Sequence, residues 1–258
     1  MLQQTQVERV IPFYKKFIKQ FPTAKRLADA PLSEVLKAWQ GLGYNRRAKM
    51  LRAAAKQLAN IRGVHVLSYR TKREHTGVRL VEKLVGELEK LSGVGPYTAR
   101  AVAAFAFNQD VVVVETNIRT AVIHHFFAGN ASIYGSVSDA QIQGILERAL
   151  PKGKSREWYS ALMDYGAHLK RSGVSHNARS RTYAKQSRFA GSLREARGTI
   201  VRELARGAAS PARLILLLGD SRRAQMRSAL RALWTERMIE KRGADYALTG
   251  DKASGNLV

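Results

Sequence analysis

Cysteine is missing from all 258 residues, and acidic residues are few, 20 against 44 lysines and arginines. The first absence excludes disulfides, thiolate nucleophiles and any zinc or iron–sulfur centre held by sulfur. The second leaves a formal charge of +24 and an isoelectric point near 10.8, an imbalance that bears on partners and not on fold. The partner such a surface calls for is a polyanion, nucleic acid first of all. No apolar run approaches the roughly 18 residues of a membrane span, and the N-terminus has no signal-peptide pattern. The expectation is a protein that is not secreted and works as a monomer, in the cytoplasm with the nucleoid or in a eukaryotic nucleus.

What is present is mostly helical periodicity. Val7, Val10, Ile11, Tyr14, Phe17 and Ile18 recur at helical spacing. Pro31 opens a second pattern that Gly41 and Gly43 close, and residues 46–60 make a basic amphipathic helix. Residues 61–76 read as a loop. Residues 110–114 begin like a buried strand, with Glu115, Thr116 and Asn117 placed to cap a helix from Ile118. Around residues 155–171 the apolar side is set by Trp158, Leu162, Tyr165 and Leu169. No acid stands between Asp164 and Glu195, and this basic stretch reads as a linker lying on phosphate. Three helical patterns and two short alternating runs follow, the description of a winged helix-turn-helix whose third helix carries Arg222, Arg223, Arg227 and Arg231. The fold class expected is mainly α. Its expected domains are a helical lobe at 1–170, a linker at 171–191 and a winged helix at 192–250.

The most informative stretch is LSGVGPYTA, residues 91–99. Gly93 and Gly95 allow a tight turn and a close backbone approach, and Pro96 starts the next helix. Amides of such a turn, with the helix N-terminus behind them, can bond a phosphate without reading sequence. That is a helix-hairpin-helix, and alone it is also the ordinary way to join two helices.

It is accompanied, in order, by MLQQTQV at 1–7, GLGYNRRAKML at 41–51, VETNIR at 114–119 and ALMDYGA at 161–167. The set resembles the helix-hairpin-helix base-excision DNA glycosylases, most closely the MutY-type adenine glycosylases, over residues 1–170. The resemblance implies double-stranded DNA as partner and hydrolysis of an N-glycosidic bond, most closely that of adenine opposite G or 8-oxoguanine. It implies that Gly93, Val94, Gly95 and Thr98 grip the DNA backbone, with an alkali cation at the turn carbonyls. Gln4 and Tyr44 fall where the family wedges the duplex, with Arg46 beside them, since a base must leave the stack before its sugar bond can be reached. Relatives that also cut the strand carry lysine at the position of Tyr97. A phenol forms no imine, so an abasic site is the expected product. Glu115 stands at the family's aspartate beside the sugar, where a carboxylate stabilises developing positive charge, with Asn117 to hold it or a water. Asp164 falls at a carboxylate position facing the purine edge.

Three departures qualify the resemblance. The four cysteines of the family's iron–sulfur cluster are absent, and His168 and His176 make a poor replacement, so no cofactor and no side-chain metal site is expected. A winged helix stands in place of the domain that senses 8-oxoguanine. The family's glutamate that protonates the departing base falls two residues before Met1, and Glu8 lies about 10 Å or more from that position at 1.5 Å per residue. The expectation is therefore that residues 1–258 bind DNA but excise slowly, and that the upstream reading frame encodes the missing acid and its helix. Two other readings stay open: a thymine or uracil mismatch glycosylase, and a DNA-binding protein without catalysis.

Overall fold

The computed structural model describes residues 1–3, 5, 7–60, 78–128, 136–181 and 188–251. The loop expected at 61–76 and the wedge residue Gln4 lie outside these. The chain divides into two compact units, one of residues 1–62 with 187–258, the other of 63–186.

The first unit joins both ends of the chain. Helices α1 (Val7–Gln20), α2 (Ala24–Asp29), α3 (Leu32–Trp39) and α4 (Arg46–Asn60) share one core with α10 (Leu193–Leu204), α11 (Pro211–Leu216), α12 (Arg223–Thr235) and a hairpin. The hairpin pairs β1 (Ile239–Arg242) antiparallel with β2 (Asp245–Leu248), Ile239 opposite Leu248. Phe17, Leu36 and Trp39 belong to the same buried cluster as Ile200, Leu204, Met226 and Leu233. Polar bonds tie the same halves: the Gln40 amide donates to the Val201 carbonyl at 3.0 Å, and Lys37 pairs with Asp251 at 2.7 Å. The tail, expected as a unit of its own from residue 192, is thus part of a core that begins at Val10. Helical periodicity reports which face is apolar and is silent about what covers it. On α1 the buried positions are Val10 and Phe17, while Val7, Ile11, Tyr14 and Ile18 are exposed.

The second unit carries α5 (Val78–Glu89), α6 (Pro96–Phe107), α7 (Thr116–Phe127), α8 (Asp139–Ala149) and α9 (Ser155–Arg171). Its core gathers Leu84, Ala103, Ile118, Ile123, Ile142, Leu146 and Tyr159. Residues 111–115 form no strand. A single side chain replaces the ladder: the buried Tyr159 hydroxyl donates to Val111 O at 3.0 Å and accepts from Val113 N at 3.1 Å. Burial pushes that phenol up to about 12, so it stays a donor. The buried line of α9 runs through Ser155, Tyr159, Gly166 and Leu169, with Tyr165 and Trp158 off it.

The stretch after α9 was expected to lie on phosphate. Around residue 179 it bonds to its own unit instead: Arg179 donates to Phe127 O at 2.8 Å, and Val137 pairs with the backbone of Arg179 and Arg181 at 2.6 and 3.1 Å. Arg181 also donates to Ser136 Oγ at 3.0 Å. Orphan carbonyls at the end of α7 and an unpaired segment at 137 need donors, and this basic stretch supplies them.

Candidate active site and nucleic-acid interface

The turn between α5 and α6 is closed by its own backbone, Leu91 N donating to Leu88 O at 3.1 Å and Val94 N to Leu91 O at 3.0 Å. Gly93 holds a φ of +78°, which favours glycine. Gly95 is extended, φ −96°, and a Cβ there would meet nothing within 4 Å. Neither conformation nor internal packing requires glycine at 95. Gly93 and Gly95 are exposed, Val94 and Thr98 half-buried.

Tyr97 follows on the first turn of α6 and is 45 % exposed. Its phenol is held above the usual tyrosine range, by desolvation first and then by the charge of Glu115, with Arg119 opposing. The hairpin tyrosine and the carboxylate are therefore electrostatic neighbours. Glu115 is the N-cap of α7, two residues earlier than a helix beginning at Ile118 requires. Its Oε2 accepts from Asn117 N at 2.7 Å. The same side chain thus serves as cap and as the candidate charge. The cap is also what fixes the carboxylate's place.

Two residues of α9 complete the corner. Gly166 passes so close to α7 that a Cβ would sit 2.1 Å from the Asn117 carbonyl oxygen. Lys170, one turn on, donates from Nζ to Asn117 Oδ1 at 2.6 Å. Burial lowers its ammonium below the usual lysine range and Glu115 partly opposes this. Two residues beyond Asn117 along α7, Arg119 makes a two-point pair with Asp139 of α8, at 2.9 and 2.7 Å. Gly166 and Arg119 were not singled out from sequence, and Lys170 was read only as part of the basic excess expected to face phosphate. Gly166 alone had a signal, a glycine inside an amphipathic helix.

Asp164 is exposed. Standing two residues from Gly166, it is turned about 160° around α9 from the contact with α7. The structure does not gather it with Glu115, Asn117 and Tyr97.

In the other unit Tyr44 holds a φ of +48°. Its ring lies between the guanidiniums of Arg47, 5.4 Å away, and Arg194, 5.1 Å away, and Arg194 also donates to its hydroxyl. Arg46 is exposed. Its neighbour Arg47, not singled out from sequence, is the hub: it donates to Met1 O at 3.0 Å and Leu42 O at 3.2 Å, and to the carbonyl of Gln3, while lying over Trp39.

The arginines of α12 and its N-cap separate into two kinds. Arg222 was expected on DNA but is turned inward, bonding Glu195 at 2.7 Å and Gln225 at 2.8 and 2.6 Å. A half-buried carboxylate outcompetes solvent for the guanidinium fork. Arg223 pairs with Asp220 at 2.8 Å while remaining exposed. Arg227 and Arg231 are exposed and one turn apart.

The chain has no thiolate for an iron–sulfur cluster, and where the sequence would place one the segment after α9 is held by Arg179, Val137 and a contact between His124 Nδ1 and His176 Nε2 at 3.2 Å. Such a cluster does not fit. Among the described residues no group of three His, Cys, Asp or Glu could hold a metal ion, and no helix is long and apolar enough to cross a membrane.

Residues 1–148 match the model of a family described as HhH-GPD superfamily base excision DNA repair protein. The adenine DNA glycosylase of Mycolicibacterium smegmatis is 34 % identical over 276 residues, covering 99 % of this chain and 87 % of that one. That of Mycobacterium tuberculosis is 38 % identical over 168 residues, 65 % of this chain and 50 % of its own. That of Buchnera aphidicola (Baizongia pistaciae) is 34 % identical over 168 residues, again 65 % of this chain and 42 % of its own. The chain thus spans half or less of the length of two of these three relatives.

Proposed function

This chain belongs to the HhH-GPD superfamily of base excision DNA repair proteins, and from that membership we propose that it removes a mispaired adenine from double-stranded DNA by hydrolysis. The observation that supports this most is the electrostatic neighbourhood of Tyr97 and Glu115: the carboxylate fixed as the cap of α7 is near enough to raise the phenol on the first turn after the hairpin. The similar proteins named adenine DNA glycosylase support the choice of base.

In the proposed reaction the hairpin amides hold a phosphate and the target nucleotide is extruded. As the C1′–N bond lengthens, its electron pair leaves with the base, which takes up a proton from solvent. The sugar becomes cationic, and the Glu115 carboxylate stabilises it. Water then forms the C1′–O bond and gives its proton to Glu115. Tyr97 remains a phenol and cannot form an imine, so the backbone stays whole. A cation on the turn carbonyls would add positive charge under the phosphate, but no step uses it. The order α10, α11, α12 and hairpin is read as a winged helix-turn-helix that adds phosphate contacts.

Duplexes carrying A opposite 8-oxoguanine, A opposite G and T opposite G test the reading. Abasic sites are expected at the first two, revealed as strand breaks only by alkali. A breakless reaction at T opposite G alone would transfer the chain to thymine mismatches, and no excision anywhere would leave it a binding protein. A covalent adduct trapped by borohydride would overturn the role of Tyr97.

Binding should weaken steeply with salt. With about five to eight phosphates neutralised, log K against log salt slopes at roughly −4 to −7. Arg227→Ala is expected to flatten that slope by about 1. Arg222→Ala should leave the slope alone and lower thermal stability instead, because its guanidinium is bound inside. The reverse pattern would show that α12 approaches DNA by its other side.

A further inference from the structure

Asn117 has two ways to meet a ligand: its side-chain oxygen accepts and its NH2 donates. The structure removes one of them. The Lys170 ammonium has no acceptor capacity, so the atom 2.6 Å from it must be the amide oxygen. That bond settles which way round the amide lies. The backbone N–H of the same residue is given to Glu115 Oε2 at 2.7 Å. What Asn117 still has to offer is its NH2 edge.

We propose that Lys170 is a positioning residue for base excision, which locks Asn117 as a hydrogen-bond donor beside the Glu115 carboxylate. The inference rests on the glycosylase reading above. An attacking water must lose a proton to an acceptor while its oxygen is aimed at C1′. Glu115 keeps one carboxylate oxygen beyond its cap bond to take the proton, and the Asn117 NH2 donates to the water oxygen. An Asn117 presented the other way round would compete with Glu115 for the water's protons and leave its oxygen unaimed. Gly166 belongs to the same device. One turn before Lys170 on α9, it brings the helix close enough for the lysine to reach, with no room for a Cβ between. Lys170 is half-buried, and the geometry assigns it to this inward bond and not to phosphate.

The test uses the full chain with Lys170→Met and Lys170→Arg. Single-turnover excision is measured on the A·8-oxoguanine duplex, and affinity on a duplex with a tetrahydrofuran abasic analogue. Lys170→Met is expected to excise about 10- to 100-fold more slowly, as misplacement of a reacting group does, with affinity changed less than about threefold. Lys170→Arg, which keeps charge and donor, should recover most of the rate. Equal losses of rate and affinity would make Lys170 a phosphate contact and overturn the proposal, as would an unchanged rate. A second readout needs no catalysis: the Asn117 side-chain amide pair in a nitrogen–proton correlation spectrum, assigned by its loss in Asn117→Asp. It should lie away from random-coil positions in the wild type and collapse toward them in Lys170→Met. If the wild type excises nothing from any duplex, the function reading fails, while this signal still decides the lysine–amide bond. An unmoved signal overturns the inference even in an active enzyme.

Discussion

Gly166→Ala loses excision by about two orders of magnitude or more, the scale set by a displacement of about 1 Å at a reacting group, and melts roughly 10 °C lower. Its added Cβ would lie 2.1 Å from the Asn117 oxygen, 2.6 Å from its carbonyl carbon and 2.9 Å from its Cα. All three atoms are backbone, at the first turn of α7, and no flexible tip can swing aside. Helices α7 and α9 must therefore separate by about an ångström, which costs at least the 1–3 kcal/mol typical of overpacking. At about 4–8 °C per kcal/mol for domains near 100 residues, that gives the expected drop. In an isolated helix the same change would stabilise by up to about 1 kcal/mol, so even the sign of the effect identifies the contact. Calorimetry and single-turnover excision check both parts. A variant as stable as the parent would mean that α9 does not lie this close to Asn117.

Glu115→Gln loses about 10²- to 10³-fold in single-turnover rate, the usual cost of removing one preorganised electrostatic contact, while its melting temperature and DNA affinity stay near those of the parent. The two results separate because the carboxylate has two jobs. A glutamine oxygen can still accept from Asn117 N and keep the cap of α7, but it carries no charge to set against the sugar cation. Glu115→Ala loses the cap too and should fall in stability by about 0.5–2 kcal/mol more. If Glu115→Gln excised at the parent rate, Glu115 would be a cap and nothing else.

Much of this site was legible in the sequence because its parts are local. The turn at 91–98, Tyr97 on the next helix and Glu115 ahead of Asn117 are each spelled within a few residues, where spacing alone fixes backbone form. Lys170, Gly166 and the Arg119–Asp139 pair act between helices far apart in sequence, and no period of 3.6 encodes them. Charge misled in a consistent way. Arg222, Arg179 and Lys170 belonged to an excess read as facing phosphate, yet each answers an internal need: a carboxylate, an orphan helix carbonyl, an amide oxygen. An arginine in a list does not say which way it points. Arg46 and Arg47 show the same limit, adjacent in sequence, one exposed and the other bonded to the carbonyls of Met1, Gln3 and Leu42. The tail gave up its helices and hairpin correctly and concealed its partner, since apolar faces carry no address.

That shared core has a consequence for how the molecule is made. Residues 63–186 form a contiguous body and can fold as they emerge from the ribosome. The first unit is discontinuous: the faces of α1, α3 and α4 wait for Ile200, Met226 and Leu233, on the far side of the inserted body. Drawing the two segments together through an unfolded loop of that length would cost about 4 kcal/mol in closure entropy, so prior folding of the insert favours assembly. At about 5–20 residues per second of synthesis, the N-terminal half of this core stands uncovered for roughly 10 to 40 s. Over that interval the nascent chain carries an apolar surface with its matching half not yet translated. Severing the tail would make that state permanent, trading a transient folding intermediate for an aggregation-prone end product.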